Sequence, residues 1–297
     1  MLEQYALQLV KFALQEDLVG GGDVTTLNTL GPSVSARAAI VARATGVVAG
    51  LFVAKLVFAE VDAKVKFKPL VQDGARLEAG VALAQVSGSA GSLVTAERTS
   101  LNFLQHLSGI ASLTRRFVDA VAGTGATILD TRKTTPGLRY LEKYAVKMGG
   151  GENHRLGLYD MYLVKDNHIR AAGGVSRAIE MIQRTRRDLL LEVEVESDDQ
   201  LEEALRPEVD RILIDNRSVE EVKRAVVAVD RWCRAHPSDS PRMRAGARRW
   251  PELEVSGGIT LANARAYAET GADYLSVGAL THSAPALDLS MEIEAIG

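Results

Sequence analysis

Positive charge gathers in three short motifs of this chain. Residues 130–139 read D-T-R-K-T-T-P-G-L-R, residues 149–155 read G-G-G-E-N-H-R, and residues 165–168 read K-D-N-H. Arg132 and Arg155 can each grip a carboxylate or a phosphate through two parallel hydrogen bonds, and Lys133 and Lys165 are point charges on flexible stems. The three consecutive glycines let backbone approach a ligand closely. Solvated surface salt bridges are the plainer reading of such residues. Their density beside apolar stretches favours a site for a ligand with several negative groups.

Negative charge is arranged differently. Residues 191–196 read L-E-V-E-V-E. On a strand, alternate side chains share a face, so Val193 and Val195 lie on one face and Glu192, Glu194 and Glu196 on the other. If helices cover the apolar face, the glutamates turn inward and need a metal, cations or sugar hydroxyls as partners. A strand with one solvated face is the alternative. Residues 212–216, I-L-I-D-N, end an apolar strand in Asp215, which suits either a site at a strand end or a helix N-cap before Glu220. Two late segments, V-S-G-G-I-T at 255–260 and V-G-A-L-T at 277–281, are small-residue loops that lead into helices. Such loops offer backbone N–H groups to a phosphate. Cations on some strand ends and carboxylates on others suit a substrate that combines anionic groups with a polyol.

The elements that must position these residues can be read from periodicity. Residues 2–18 place Leu2, Tyr5, Leu9, Phe12 and Leu14 near helical spacing, and Gly20-Gly21-Gly22 ends that helix before a turn or cap at 23–26. Strands are expected at 38–42 and 65–69, with a helix at 51–60 between them. Asp73-Gly74 and Ala79-Gly80 punctuate two further short strands. Residues 97–122 form one long helical pattern with a break at Ser108-Gly109. From there strands at 127–131, 162–165, 189–195, 211–214, 253–255 and 274–277 recur. Helical patterns at 176–186, 198–205, 219–229 and 261–270 lie between most of them. Alternating strand and helix implies a parallel sheet. Six units are too few for an eight-fold barrel, so an incomplete β/α barrel is the first expectation and an open doubly wound sheet the second. Residues 234–251, rich in arginine and proline, interrupt the rhythm and read as a surface insertion.

Composition bounds the function. The chain has 297 residues, of which 46% are hydrophobic and 25% charged, with a net charge of −3. So small a net charge gives no global field to attract nucleic acid or an anionic membrane. The single cysteine, Cys233, excludes an intrachain disulfide and a cysteine-rich zinc site. No apolar run is long enough for a membrane span, and the first residues lack the basic start and uninterrupted apolar core of a signal peptide. A reducing, cytoplasmic setting is the expectation. No G-x-x-x-x-G-K-[ST] loop, G-x-G-x-x-G fingerprint or G-x-S-x-G elbow occurs.

Taken in order, the motifs resemble those of the quinolinate phosphoribosyltransferases. They are E-D-L-V-G-G-G-D-V-T-T at 16–26, T-A-E-R-T-S-L-N-F-L-Q at 95–105 and L-D-T-R-K-T-T-P-G-L-R at 129–139, then G-G-G-E-N-H-R at 149–155 and K-D-N-H-I at 165–169. E-V-E-V-E at 192–196, S-G-G-I at 256–259 and S-V-G-A-L-T-H-S at 276–283 complete the series. The departure is the insertion at 234–251, longer than the family pattern. The resemblance implies an α/β chain with an N-terminal α/β sandwich over 1–108, completed by the tail 281–297. A β/α barrel of fewer than eight strands would occupy 109–280. The implied reaction joins quinolinate to 5-phosphoribosyl 1-diphosphate with loss of CO₂, in the presence of Mg²⁺. It also implies roles. Arg132, His154 and Arg155, with Thr131 and Arg98, would hold the quinolinate carboxylates. Lys133 and Lys165, with His168, would face the diphosphate. Glu194 and Asp215 would serve the ribose and the Mg²⁺ region. Ser256, Gly257, Gly258, Gly278 and Ala279 would cradle the 5′-phosphate. Arg98 would reach a neighbouring copy's site, making the working unit a homodimer or larger.

Two other readings compete. A paralogous phosphoribosyltransferase acting on a different acid would carry the same cations. A non-enzymatic carrier is suggested by residues 65–88, which loosely resemble a lipoyl-type hairpin, but no lysine stands at the tight turn that such a module needs.

Overall fold

Helix α1 (Leu2–Leu18) buries Ala6, Val10 and Leu14, one residue per turn on a single stripe, and leaves Phe12 exposed. The computed structural model describes residues 2–31, 33–185, 188–206, 209–236 and 250–296. The centre of the expected insertion, residues 237–249, lies outside them. Asp23 caps a short helix α2 (Val24–Thr29) by accepting the Thr26 N–H at 2.9 Å, where spacing had implied only a turn or cap. There follow β1 (Ser35–Ala42), β2 (Gly46–Val47), α3 (Leu51–Val61), β3 (Lys66–Pro69), β4 (Arg76–Leu77), β5 (Ala82–Ser89) and α4 (Ala90–Ala120). The middle of the chain holds β6 (Thr127–Leu129), α5 (Arg139–Met148), β7 (Tyr162–Val164), α6 (Asp166–Ala172), α7 (Val175–Thr185), β8 (Leu191–Val195) and α8 (Asp198–Leu205). The last part holds β9 (Arg211–Asp215), α9 (Val219–Ala235), β10 (Glu252–Ser256), α10 (Ala264–Ala268), β11 (Tyr274–Ser276), α11 (Ala279–His282) and β12 (Leu289–Ile296).

The chain divides into two compact units. The first comprises residues 1–115, 133–151 and 279–297; the second comprises 116–132 and 152–278. In the first, β12-β1-β5-β3 form an antiparallel sheet, so the C-terminal strand pairs with the first strand of the chain. Ala38, Ile40 and Ala42 on β1 and Leu83 and Val86 on β5 are buried there. Helix α4 does not break at Ser108-Gly109. The Ser108 hydroxyl accepts the Ala49 N–H at 3.0 Å. A Cβ at Gly109 would stand 2.2 Å from the Pro285 carbonyl oxygen, so the glycine is there for close approach.

In the second unit the six strands are parallel and ordered β6-β11-β10-β9-β8-β7. The starts of two strands are fixed by buried carboxylates: Asp210 accepts the Leu191 N–H at 2.6 Å and Asp273 accepts the Leu253 N–H at 2.9 Å. The backbone of Glu152 adds to the free edge of β6 by one parallel bridge. His154, two residues on, bonds Glu192 on β8 at 2.9 Å. In a flat sheet β6 and β8 would stand roughly 19 Å apart, four strand spacings. The sheet therefore curls almost closed, which makes it an incomplete barrel and not an open sheet. At the insertion, the described ends are anchored: Trp250 is buried, and the Cys233 thiol donates to its carbonyl at 3.1 Å.

Candidate active site

The strand ends of the second unit hold two arginines side by side. The Glu152 N–H donates to the Ile128 carbonyl at 2.8 Å and the Asp130 N–H to the Glu152 carbonyl at 3.2 Å, so residues 129–132 run beside 152–155. Buried Asp130 accepts the His154 N–H at 2.9 Å. Arg155 is half-buried. Burial and the neighbouring Arg132 cation hold its guanidinium below the ordinary arginine range. An anion placed against both cations would relieve that repulsion.

Inside the barrel the strands alternate as read. Val193, Val195, Leu253 and Val255 are buried on one face, and Glu192, Glu194, Glu252 and Glu254 are buried on the other. Glu196 lies past β8 and is exposed, so two glutamates of this motif turn inward, not three. The strand register aligns Glu192 with Arg211 and Arg211 with Glu252. Arg211 bonds Glu254 at 3.0 Å, lies 3.6 Å from Glu252 and sits 3.9 Å over the Tyr274 ring. Burial opposes the charge on Arg211, but Glu192 and Glu254 outweigh it and hold the cation firmly. His154 Nε2 stands 2.9 Å from Glu192 Oε2 and 3.4 Å from Glu254 Oε1, while Nδ1 accepts the Arg155 N–H at 2.8 Å. Both ring nitrogens are thus engaged within the protein. Burial disfavours the imidazolium, yet Glu254 and Glu192 raise the His154 pKa overall; a second proton would have to displace the Arg155 N–H. Burial and the nearby Glu192 push Glu254 up to about 7. For Glu192 burial works against ionisation, but the bond from His154 and the charges of His154 and Arg211 together outweigh it and the pKa falls.

The remaining strand ends carry the other expected residues. Lys165 Nζ meets Glu194 Oε2 at 2.5 Å. His168 Nδ1 accepts the Lys165 N–H at 3.0 Å, which leaves Nε2 on an exposed ring. Asp215 ends β9 and accepts from the Asn216 amide at 2.6 Å. Asn216 has φ of 53°, and its N–H donates to the Ser256 carbonyl at 3.0 Å. Gly257 has φ of 93°, and a Cβ there would stand 2.2 Å from the Asn216 side-chain oxygen, so no other residue fits. Gly258 follows with φ of 62°, and its carbonyl accepts from Asn263 at 3.0 Å. Gly278 follows β11. Glu194 and Asp215 supply hard carboxylate oxygens from adjacent strands, the donor type that Mg²⁺ takes, and each keeps a second oxygen outside the bonds named.

Thr131, Arg132, His154, Arg155, Lys165, His168, Glu194, Asp215, Ser256, Gly257, Gly258 and Gly278 therefore belong to the second unit. Lys133 and Ala279 open segments of the first unit, directly after Arg132 and Gly278 in the chain. Lys133 is exposed on a loop held at several points. Its carbonyl accepts the Thr281 hydroxyl at 2.8 Å, the Thr135 N–H donates to Glu142 Oε2 at 3.1 Å, and the Gly137 carbonyl accepts the Tyr5 hydroxyl. Arg98 is exposed on α4 and lines a cavity of about 250 Å³ with Glu16, Asp17, Asn102 and His106. Spacing missed Glu254, Arg211 and Glu142. The first had a signal, since E-L-E-V at 252–255 repeats the alternation of E-V-E-V at 192–195.

A curled parallel sheet with paired guanidiniums, a lysine–carboxylate pair and a glycine loop at its strand ends defines a binding domain for a multiply anionic substrate. Comparison with known proteins narrows this. Residues 23–108 match the model of the quinolinate phosphoribosyl transferase N-terminal domain, and residues 110–292 match that of the C-terminal domain. A nicotinate-nucleotide pyrophosphorylase [carboxylating] of Mycobacterium leprae is 46% identical over 290 residues, 97% of each chain. A quinolinate phosphoribosyltransferase [decarboxylating] of Nicotiana tabacum is 39% identical over 96% of this chain and 81% of its own. The solved nicotinate-nucleotide pyrophosphorylase of Francisella tularensis superposes with a TM-score of 0.88 at 35% identity, covering 98% of this chain and 97% of that one. The chain belongs to the quinolinate phosphoribosyltransferase family.

Proposed function

We propose that this chain transfers the 5-phosphoribosyl group of 5-phosphoribosyl 1-diphosphate to the ring nitrogen of quinolinate, a step of de novo NAD synthesis. The products are nicotinate mononucleotide, diphosphate and CO₂. The pairing of the segments that carry Arg132 and Arg155 carries the reading: it brings two guanidinium-bearing residues to one strand end, suited to two neighbouring carboxylates. As the bond from nitrogen to the anomeric carbon forms, the bond to diphosphate breaks and its electron pair leaves with the diphosphate. Positive charge on the sugar ring favours the nearby Glu194 and Asp215. Lys133 and Lys165 face the leaving group, and His168 can offer its Nε2. As CO₂ departs, the electron pair of the carbon–carboxylate bond stays on that carbon, stabilised by the adjacent nitrogen cation, and the carbon then takes a proton from water. Glu194 and Asp215 are the residues that would hold Mg²⁺, which when bound supplies charge to the diphosphate oxygens. The loop Ser256-Gly257-Gly258, with Gly278 and Ala279, receives the 5′-phosphate. Thr131 assists the arginines.

We further read the working unit as a homodimer or larger, with Arg98 reaching the quinolinate of a neighbouring copy. Its exposure on α4, away from the Arg132 and Arg155 motifs in sequence, supports this. A cytoplasmic setting fits the lone cysteine, and no described helix is long and apolar enough to cross a membrane. The test is a comparison of acids. With 5-phosphoribosyl 1-diphosphate and Mg²⁺, quinolinate should give nicotinate mononucleotide. Nicotinate, which lacks the carboxylate beside the nitrogen, should react far more slowly. Equal rates would overturn the proposal.

A further inference from the structure

Arg155 reaches the substrate from a segment with little regular structure of its own. It follows a single β-bridge at Glu152, and the next strand begins only at Tyr162. Something other than a sheet ladder must hold its backbone. The N–H of Arg155 is bonded to His154 Nδ1, and His154 is turned so that Nε2 points into the barrel, at Glu192 and Glu254. Glu254 is fully buried and is itself held from two sides. Ser276 donates to Oε1 at 2.5 Å, and Arg211 donates to Oε2 at 3.0 Å. Arg211 is pinned in turn over the Tyr274 ring and beside Glu252. These partners stand on β9, β10 and β11, at the rigid centre of the sheet.

We propose that Glu254 is a positioning residue for quinolinate binding, which through His154 fixes the backbone from which Arg155 grips the acid. The inference rests on Arg155 holding a quinolinate carboxylate. His154 then acts as a tether: Nδ1 takes the Arg155 N–H, while Nε2 bonds Glu192 at 2.9 Å and lies 3.4 Å from Glu254, which holds the ring from its second side. A bidentate grip tolerates little misplacement, so freedom at the Arg155 backbone weakens the acid's affinity. The diphosphate substrate, held by other strand ends, does not depend on this tether.

The test measures binding of each substrate separately by titration calorimetry on the full-length protein. Glu254→Leu should weaken quinolinate by 10-fold or more and leave 5-phosphoribosyl 1-diphosphate within about 2-fold. In Glu254→Gln the amide oxygen can keep Arg211 while the NH₂ group meets Ser276 or Glu192. That NH₂ faces the His154 Nε2–H donor, so the variant should lose quinolinate affinity selectively, by a smaller factor than Glu254→Leu. If Glu254→Leu does not fold, Glu254→Asp keeps the carboxyl but withdraws it from His154, and should produce a smaller loss with the same selectivity. Arg155→Lys separates the inference from the reading beneath it. Unchanged quinolinate affinity in Arg155→Lys would sink the assignment of Arg155. A loss in Arg155→Lys with none in a folded Glu254→Leu or Glu254→Asp would sink the tether alone. Adding Glu254→Leu (or Glu254→Asp) to Arg155→Lys should cost little more, because both act on one contact. Full additivity, or equal losses for both substrates, would also overturn the proposal.

Discussion

The antiparallel sheet β12-β1-β5-β3 buries Ala38, Ile40, Ala42, Leu83 and Val86, and among the described residues none of its strands buries a charge. The parallel sheet buries Glu192, Glu194, Glu252 and Glu254, with Arg211 largely covered among them. The first arrangement is what apolar burial favours: area leaves water at roughly 25 cal/mol per Å² and no polar group is left behind. The second runs against it, since taking charges out of water costs more than their attraction commonly returns. A buried charge cluster is weak as a source of stability and strong as a source of geometry, because each member has few positions that satisfy it. One sheet thus supplies stability and the other supplies placement.

Paired substitutions should separate those two contributions most sharply. Ile40→Ala leaves a cavity in the apolar sheet and should cost about 2–5 kcal/mol of unfolding free energy, with turnover per folded molecule unchanged. Lys165→Ala should lower kcat about 100-fold, the worth of one charge contact made in the transition state, while the melting temperature barely moves. Denaturant melts and steady-state kinetics on both variants check the pair. A large loss of turnover in folded Ile40→Ala, or of stability in Lys165→Ala, would break the division.

How far the sequence discloses these regions follows from the same contrast. The L-E-V-E-V-E strand, the late glycine loops and the strand–helix alternation are local patterns, and each stands where its spacing put it, except that the strand ends at Val195 and leaves Glu196 exposed. Helix α5 escaped notice because its buried face includes Glu142 and Lys143, which interrupt the apolar stripe by which a helix is recognised. Helix α6 has seven residues and buries only Ile169, too little for a period to emerge. The Ser108-Gly109 pair reads as a break because the contacts that explain it, to Ala49 and Pro285, are far away in sequence. The tether from His154 to Glu192 and Glu254 spans 38 and 100 positions, so no motif announces it.

The charged sheet should also respond to pH where the apolar one does not. Glu254 faces Glu192 on β8, Arg211 on β9 and Ser276 on β11, with His154 above it; Glu252 and Tyr274 complete the surroundings through Arg211. Its carboxyl is pushed from the ordinary 4.5 up to about 7. Between those values the folded chain keeps the proton and the unfolded chain releases it, so the unfolded state binds fewer protons and stability falls as pH rises. Glu254→Gln cannot titrate. The stability of wild type relative to Glu254→Gln should therefore decline from about pH 4.5 to about pH 7 and level off above. A difference independent of pH would mean that Glu254 ionises as readily inside the barrel as outside it.

The smallest effect should come from a buried carboxylate that organises a loop in the first unit. Glu142 is fully buried, with His106 Nε2 at 2.9 Å from Oε1 and the Thr135 N–H at 3.1 Å from Oε2. It thereby joins α4, which carries Arg98, to the loop that carries Lys133. In Glu142→Gln one oxygen becomes an NH₂ group. Facing Thr135 it would set donor against donor, so the amide should turn its NH₂ toward His106, whose ring accepts a hydrogen bond after shifting its proton to Nδ1. The pair to Thr135 survives as a neutral bond in place of a charge-assisted one, roughly half as strong. A loss of about 1 kcal/mol follows, together with a few-fold faster hydrogen exchange at the Thr135 amide and a drop in kcat no larger than a few-fold. Glu142→Ala removes both bonds and should release the loop altogether. If Thr135 exchanges at the wild-type rate in both variants, the loop is held by its other contacts, those of Tyr5, Thr281 and Arg139 among them, and Glu142 does not place Lys133.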